Sequence, residues 1–128
     1  MDRSFRHSLE DRRRRRSIDP LVALHYQLSS TRKEGALDTV VVADDEGVVV
    51  AGAGSWAACE ELAAFAPLIA RGEPLLEGGG VSVRSVDIGG DRVLLCTRAA
   101  QSTEELSAVR EAAITRAVVG VSRILQAA

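Results

Sequence analysis

Apolar positions along this 128-residue chain change period several times, and each change marks an element. Leu21, Leu24 and Leu28 recur at helical spacing behind Asp19-Pro20, so a helix is expected over residues 20–30. Asp19 suits the N-cap, and Pro20 at the first helical position forfeits no hydrogen bond. Ser29-Ser30-Thr31 weakens the pattern and Gly35 ends it. Two apolar runs, 40–43 and 48–51, then flank Asp44-Asp45-Glu46-Gly47. They read as a hairpin, because Gly supplies the positive φ that a tight turn needs. Neither run alternates apolar with polar, so both strands are expected to be covered on both faces. Behind Ser55, a good N-cap, Leu62, Phe65 and Ile69 form one stripe with Ala58 and Ala66 beside it. The stripe predicts a second helix over 56–70, kinked or restarted at Pro67 and stopped by Gly72.

A Gly-rich connector, 73–80, leads to a second hairpin over 81–98 that turns at Gly89-Gly90. Val81 and Val83 share one parity, whereas Val86 and Ile88 share the other, which predicts a bulge near Arg84-Ser85. Val93-Leu94-Leu95-Cys96 is apolar throughout and should be a central strand. Ser102-Thr103-Glu104-Glu105 has the spacing of a capping box, with Ser102 as N-cap of a last helix over 103–125. Leu106, Val109, Ala113, Ala117, Val121 and Ile124 make one face of that helix, and Ile114, Val118, Val119 and Leu125 widen it. An arc wider than the ~100° of an ordinary surface helix calls for a second partner. Leu106, Val109, Ala113, Ile114, Ala117, Val118 and Val121 are therefore the candidate dimer or partner interface, with a second copy of the chain as the expected occupant and two internal partners within one domain as the alternative.

Length and charge divide the chain in two: a leader over 1–17 and one domain over 18–128. Only 3% of residues are aromatic, so Ala, Val and Leu must build the core. The leader carries Arg3, Arg6, Arg12, Arg13, Arg14, Arg15 and Arg16, while the whole chain has a net charge of −2. The run Arg12 to Arg16 is the candidate polyanion contact, for nucleic acid or acidic lipid. No aromatic side chains interleave with the arginines, and a solvated appendage is the favoured reading. The two cysteines, Cys59 and Cys96, and the lack of a leading apolar segment point to free thiols in a reducing cytoplasm. No run approaches the ~20 apolar residues of a membrane span.

Site chemistry is sparse. His7 and His25 have no acid or Cys at metal-ligand spacing, and Cys59 and Cys96 share no motif with them. Cys59 falls in the first turn of the second helix, where a helix dipole can activate a thiol; a small packing residue is the commoner role. Gly52-Ala53-Gly54 sits between strand and helix as a dinucleotide turn would, but Ala57 stands where the third Gly is needed. Gly78-Gly79-Gly80 lacks the Lys-Ser/Thr ending of a triphosphate loop. These residues predict no cofactor, no metal, no catalytic group and no enzyme.

The order helix, hairpin, helix, hairpin, long helix, with the strand–acidic turn–strand segment 40–51 and Cys59-Glu60-Glu61-Leu62-Ala63-Ala64-Phe65-Ala66 after it, resembles the roadblock family. This is the dynein-light-chain type, which includes bacterial partners of Ras-like GTPases. The resemblance covers about residues 19–126. It implies an α/β (α+β type) fold of roadblock/profilin-like layers, a mainly antiparallel sheet with helices on its faces. It also implies a non-enzymatic homodimer that binds a small Ras-like GTPase or a signalling or motility assembly. Some relatives assist GTP hydrolysis without a complete active site. The family's further strand before the last hairpin has only Leu75-Leu76 to supply it here, and the Arg-rich leader is extra. A GAF-like or PAS-like ligand sensor is the alternative, but such a cavity needs more large side chains than Trp56, Tyr26, Phe5 and Phe65. A nucleic-acid binder acting through the leader ranks third.

Overall fold

A computed structural model describes residues 19–72, 80–100 and 103–128. The elements run α1 (Pro20–Glu34), β1 (Thr39–Asp44), β2 (Val49–Ala53), α2 (Trp56–Ala70), β3 (Val81–Ile88), β4 (Asp91–Arg98) and α3 (Glu104–Ala127). The strands form one antiparallel sheet in the order β2-β1-β4-β3. Alternate residues of each strand face opposite sides, which divides the core in two. Val40, Val42, Val93 and Leu95 meet α1 and α3 on one face. Val41, Ala43, Leu94 and Cys96 meet α2 on the other, the one helix on that face among the described residues. All six residues of β1 are buried, as its unbroken apolar run requires. The antiparallel α/β layering expected from the sequence is the one observed.

The local signals resolve as follows. Asp19 caps α1 by accepting the Leu21 N–H at 2.9 Å, and Ser55 caps α2 through the Ala58 N–H at 3.2 Å. α1 continues past residue 30 to Glu34, because the Ser-Ser-Thr run is accommodated rather than disruptive. Thr31 is buried and donates its hydroxyl to the Gln27 carbonyl at 2.8 Å, while Ser30 bonds to Glu34. α3 begins one residue later than expected: Thr103 is the N-cap, accepting the Leu106 N–H at 3.2 Å. Ser102, which the capping-box spacing had chosen, lies outside the described residues, as do Leu75 and Leu76.

The bulge expected near Arg84-Ser85 is not there. β3 and β4 pair in unbroken register from Val81–Arg98 to Ile88–Asp91. The change of parity is instead a change of covered face: Val81 and Val83 pack toward α2, whereas Val86 and Ile88 pack under α3. The irregularity lies in the first hairpin, between Val42 and Ala43, where β2 carries one extra residue.

α2 runs unbroken through Pro67. That residue has no N–H for the Ala63 carbonyl four residues earlier. The β1–β2 turn fits against the gap: a Cβ on Gly47 would stand 3.1 Å from that carbonyl oxygen. Gly47 also has φ +85°, so both the turn and the close approach require glycine.

Candidate interaction surface

The seven residues of the last helix divide sharply in the fold. Ala113, Ile114, Ala117 and Val121 are at most 3% exposed and belong to the core shared with α1 and the sheet. Leu106 and Val118 are half-buried, and Val109 is exposed. The wide apolar arc of α3 thus has two partners within the chain, the sheet beneath it and α1 beside it. Gly120 sits at this contact under the half-exposed Gln27 side chain, whose oxygen a Cβ there would meet at 2.2 Å and push aside. Arg110 fixes the other end of the pair by donating Nε–H to the Gly35 carbonyl at 3.0 Å, just past the end of α1. The arginines Arg12 to Arg16 lie outside the described residues.

Large exposed apolar side chains also lie elsewhere, with Tyr26 on α1 and both Trp56 and Phe65 on α2. The inner side of α2 buries Cys59, Leu62, Ala63 and Ala66. Cys59 rests against Gly52 of β2, and Ala63 and Ala64 against Gly47, so this edge of the helix faces the β2 side of the sheet. Helical geometry then turns Phe65, Leu68 and Ile69 toward β3 or outward. Phe65 is 45% exposed, while Leu68 and Ile69 are half-buried. Val81 and Val83, also half-buried, continue the same apolar surface onto β3. Phe65 and Ile69, assigned to the core stripe from spacing, are therefore surface or boundary residues. The available signal was charge: within its fifteen residues α2 has only Glu60 and Glu61. Trp56, 64% exposed, stands at the start of the helix on the β2 side.

Ion pairs frame the exposed surface without forming a reactive centre. Arg98 joins Asp38 at 3.2 Å and Glu61 of α2 at 3.5 Å, and Arg92 joins Asp45 at 2.9 Å. Arg84 pairs with Glu111, and Arg116 with Glu34 at 2.7 Å. The Arg116 hydrogen bond, with help from Ser30, holds the Glu34 carboxyl below its usual range. Burial raises the Cys59 thiol and pushes Cys96 up to about 12, so neither is an activated nucleophile. Asp44 is occupied by its own turn, accepting the Glu46 and Val48 N–H groups at 2.9 and 3.0 Å. Gly54 of the dinucleotide-like turn serves packing, because a Cβ would approach the Asp38 carbonyl oxygen to 2.7 Å. Among the described residues no cluster of three or more His, Cys, Asp or Glu could hold a metal, and no helix is long and apolar enough to cross a membrane.

No protein-family model matches the sequence, and no curated protein matches it. Solved structures do match its fold. The gliding protein MglB from Thermus thermophilus superposes with a TM-score of 0.64 at 17% identity, over 88% of this chain and 96% of that one. An MglB in a tetrameric arrangement gives 0.61 at 15% identity, covering 87% and 93%. Myxococcus xanthus MglB gives 0.53 at 16%, again covering 87% and 93%. The layered roadblock-type fold expected from the sequence is thus the fold these MglB structures share with this chain.

Proposed function

We propose that this protein is a non-enzymatic regulatory module that works as a homodimer and binds a small Ras-like GTPase. The fold likeness to MglB supports the class of function. The observation that carries the reading is the apolar side of α2, where Phe65, Leu68 and Ile69 run on to Val81 and Val83 with no covering element among the described residues. A helix that alone covers one face of a sheet leaves its outer side for a partner. A second copy supplies a matching surface automatically, because a two-fold interface sets the same patch against itself. Of the last-helix candidates, Val109, Leu106 and Val118 retain surface for a further contact, with the GTPase or the second copy.

Sedimentation equilibrium at micromolar concentration should return twice the chain mass. Phe65→Glu, which places a charge in a surface that must dehydrate, should weaken the dimer roughly 30-fold or more. A strict monomer at about 100 µM would refute the dimer. For the partner, the purified chain is immobilised and offered a panel of purified Ras-like GTPases loaded with GDP or a GTP analogue. Retention that Phe65→Glu or Val109→Glu abolishes supports the reading. Failure across the panel, with a small molecule instead co-purifying, would favour the ligand sensor.

A further inference from the structure

The outer side of α3 is built unlike an ordinary solvated helix face. Ala108, Ala112, Thr115, Val119, Ser122 and Gln126 follow one another at alternating steps of four and three residues, which sets them along one seam. All but the half-buried Ser122 are exposed, Val119 by 58%. The sheet and α1 take the opposite side of the helix, through Ala113, Ala117 and Val121. Charge gathers at the two ends of the seam. Glu104 and Glu105 stand at its start and Arg123 near its finish, while Glu111 and Arg116 at its margins are tied to Arg84 and Glu34. Among the described residues Glu105 and Arg123 have no ion-pair partner. They are eighteen residues apart. At 3.6 residues per turn that is five whole turns, so both side chains project in one direction, about 27 Å apart. The helix dipole favours an acid early and a cation late, but it acts all round the helix and does not set the two on one line.

We propose that a second copy of the chain packs on this seam, α3 against α3 in antiparallel order, about a two-fold axis level with residue 114. That axis sets Glu105 of each copy against Arg123 of the other, so both ends are neutralised at once. A parallel pairing would oppose like charges at both ends, and a partner of a single sign would satisfy only one. Charge complementarity therefore selects this occupant and this orientation. Ala108, Ala112 and Thr115 are small enough for the helix axes to approach to about 8–9 Å. Val109 of one copy falls level with Val119 of the other, and both are exposed in the single chain, so the pairing adds apolar contact between the charged ends. Exposed ion pairs contribute little individually, so the contact is weak and salt-sensitive. It uses none of the α2–β3 surface: a chain that joins copies through both faces assembles beyond two.

Thr115→Cys in the Phe65→Glu background tests the contact, because the α2 surface is then spoiled and Cys59 and Cys96 are buried. Across this axis the two introduced thiols are offset by only about 3 Å along the helices, within disulfide reach, whereas two Gln126→Cys thiols lie about 36 Å apart. Mild oxidation followed on a non-reducing gel should yield the two-chain band several-fold faster for Thr115→Cys than for Gln126→Cys. Adding Glu105→Arg or Arg123→Glu singly should slow the Thr115→Cys reaction several-fold. The two together should restore it, since the exchanged charges still meet. Equal rates at the two positions, or a charge exchange that stays as slow as either single change, would overturn the pairing. Neither result bears on the GTPase reading, which retention on the GTPase panel tests separately.

Discussion

The seating of α2 on the sheet rests on a single hydrogen atom. Gly52 in β2 faces Cys59, and a Cβ at position 52 would stand 2.7 Å from the Cys59 sulfur and 3.3 Å from its Cβ. Carbon and sulfur need about 3.5–4 Å, so Gly52→Ala drives roughly 1 Å of overlap into a packed layer. The sulfur has little room to yield: Cys59 is 1% exposed and its Sγ lies 3.8 Å from the Ala53 carbonyl oxygen. Overpacking of this kind costs about 1–3 kcal/mol, offset by about 0.4–1 kcal/mol from the stiffer unfolded chain. A net loss of about 0.5–2 kcal/mol is expected. Cys59→Ala alone removes one buried sulfur and should cost about 1 kcal/mol. In the double variant the new methyl occupies the space the sulfur left, so its cost should fall below the sum of the two by about 1 kcal/mol or more. Urea unfolding followed by circular dichroism, at one fixed protein concentration so that self-association does not shift the midpoints, measures all three. Additivity within about 0.5 kcal/mol would show that the helix does not sit where this contact requires.

Two further predictions concern buried polar atoms in β4. The Thr97 hydroxyl is buried with no hydrogen-bond partner among the described residues, so the isosteric Thr97→Val should stabilise the domain by about 1 kcal/mol, whereas Thr97→Ala, which removes volume too, should not; urea midpoints distinguish them. The Cys96 thiol, raised by burial from 9.0 to about 12, stays protonated in the folded chain while the unfolded chain ionises. Its contribution is complete below pH 9 and is lost as pH rises toward 12, so stability should fall more steeply above pH 9 in the native sequence than in Cys96→Val.

Element type was legible wherever local chemistry and tertiary packing make the same demand. Asp19-Pro20 and Ser55 mark helix starts because an unsatisfied N–H needs an acceptor in any fold, and Gly47 marks a turn because its φ excludes a side chain. What spacing could not reveal is which neighbour covers each apolar side chain. The arc of α3 is too wide for one buried stripe, and it is α1, beside the sheet, that supplies the second contact for Ala113, Ile114, Ala117 and Val121. Periodicity reports the angle over which a helix is apolar, and that angle is the same whether a second copy or a second helix fills it. β3 presents the converse case: its change of parity needed no bulge, because its first half packs toward α2 and its second half under α3. On α2 the helical stripe joined Phe65 and Ile69 to Leu62, although only the narrow side bearing Cys59, Leu62, Ala63 and Ala66 fits the sheet. Outside that side α2 carries only Glu60 and Glu61 among its charged residues, so the scarcity of charge around its circumference carries more information about an interface than the width of the stripe on α3. A helix with one sheet beneath it still has a second side, and a side so poor in charge is suited to a partner of its own.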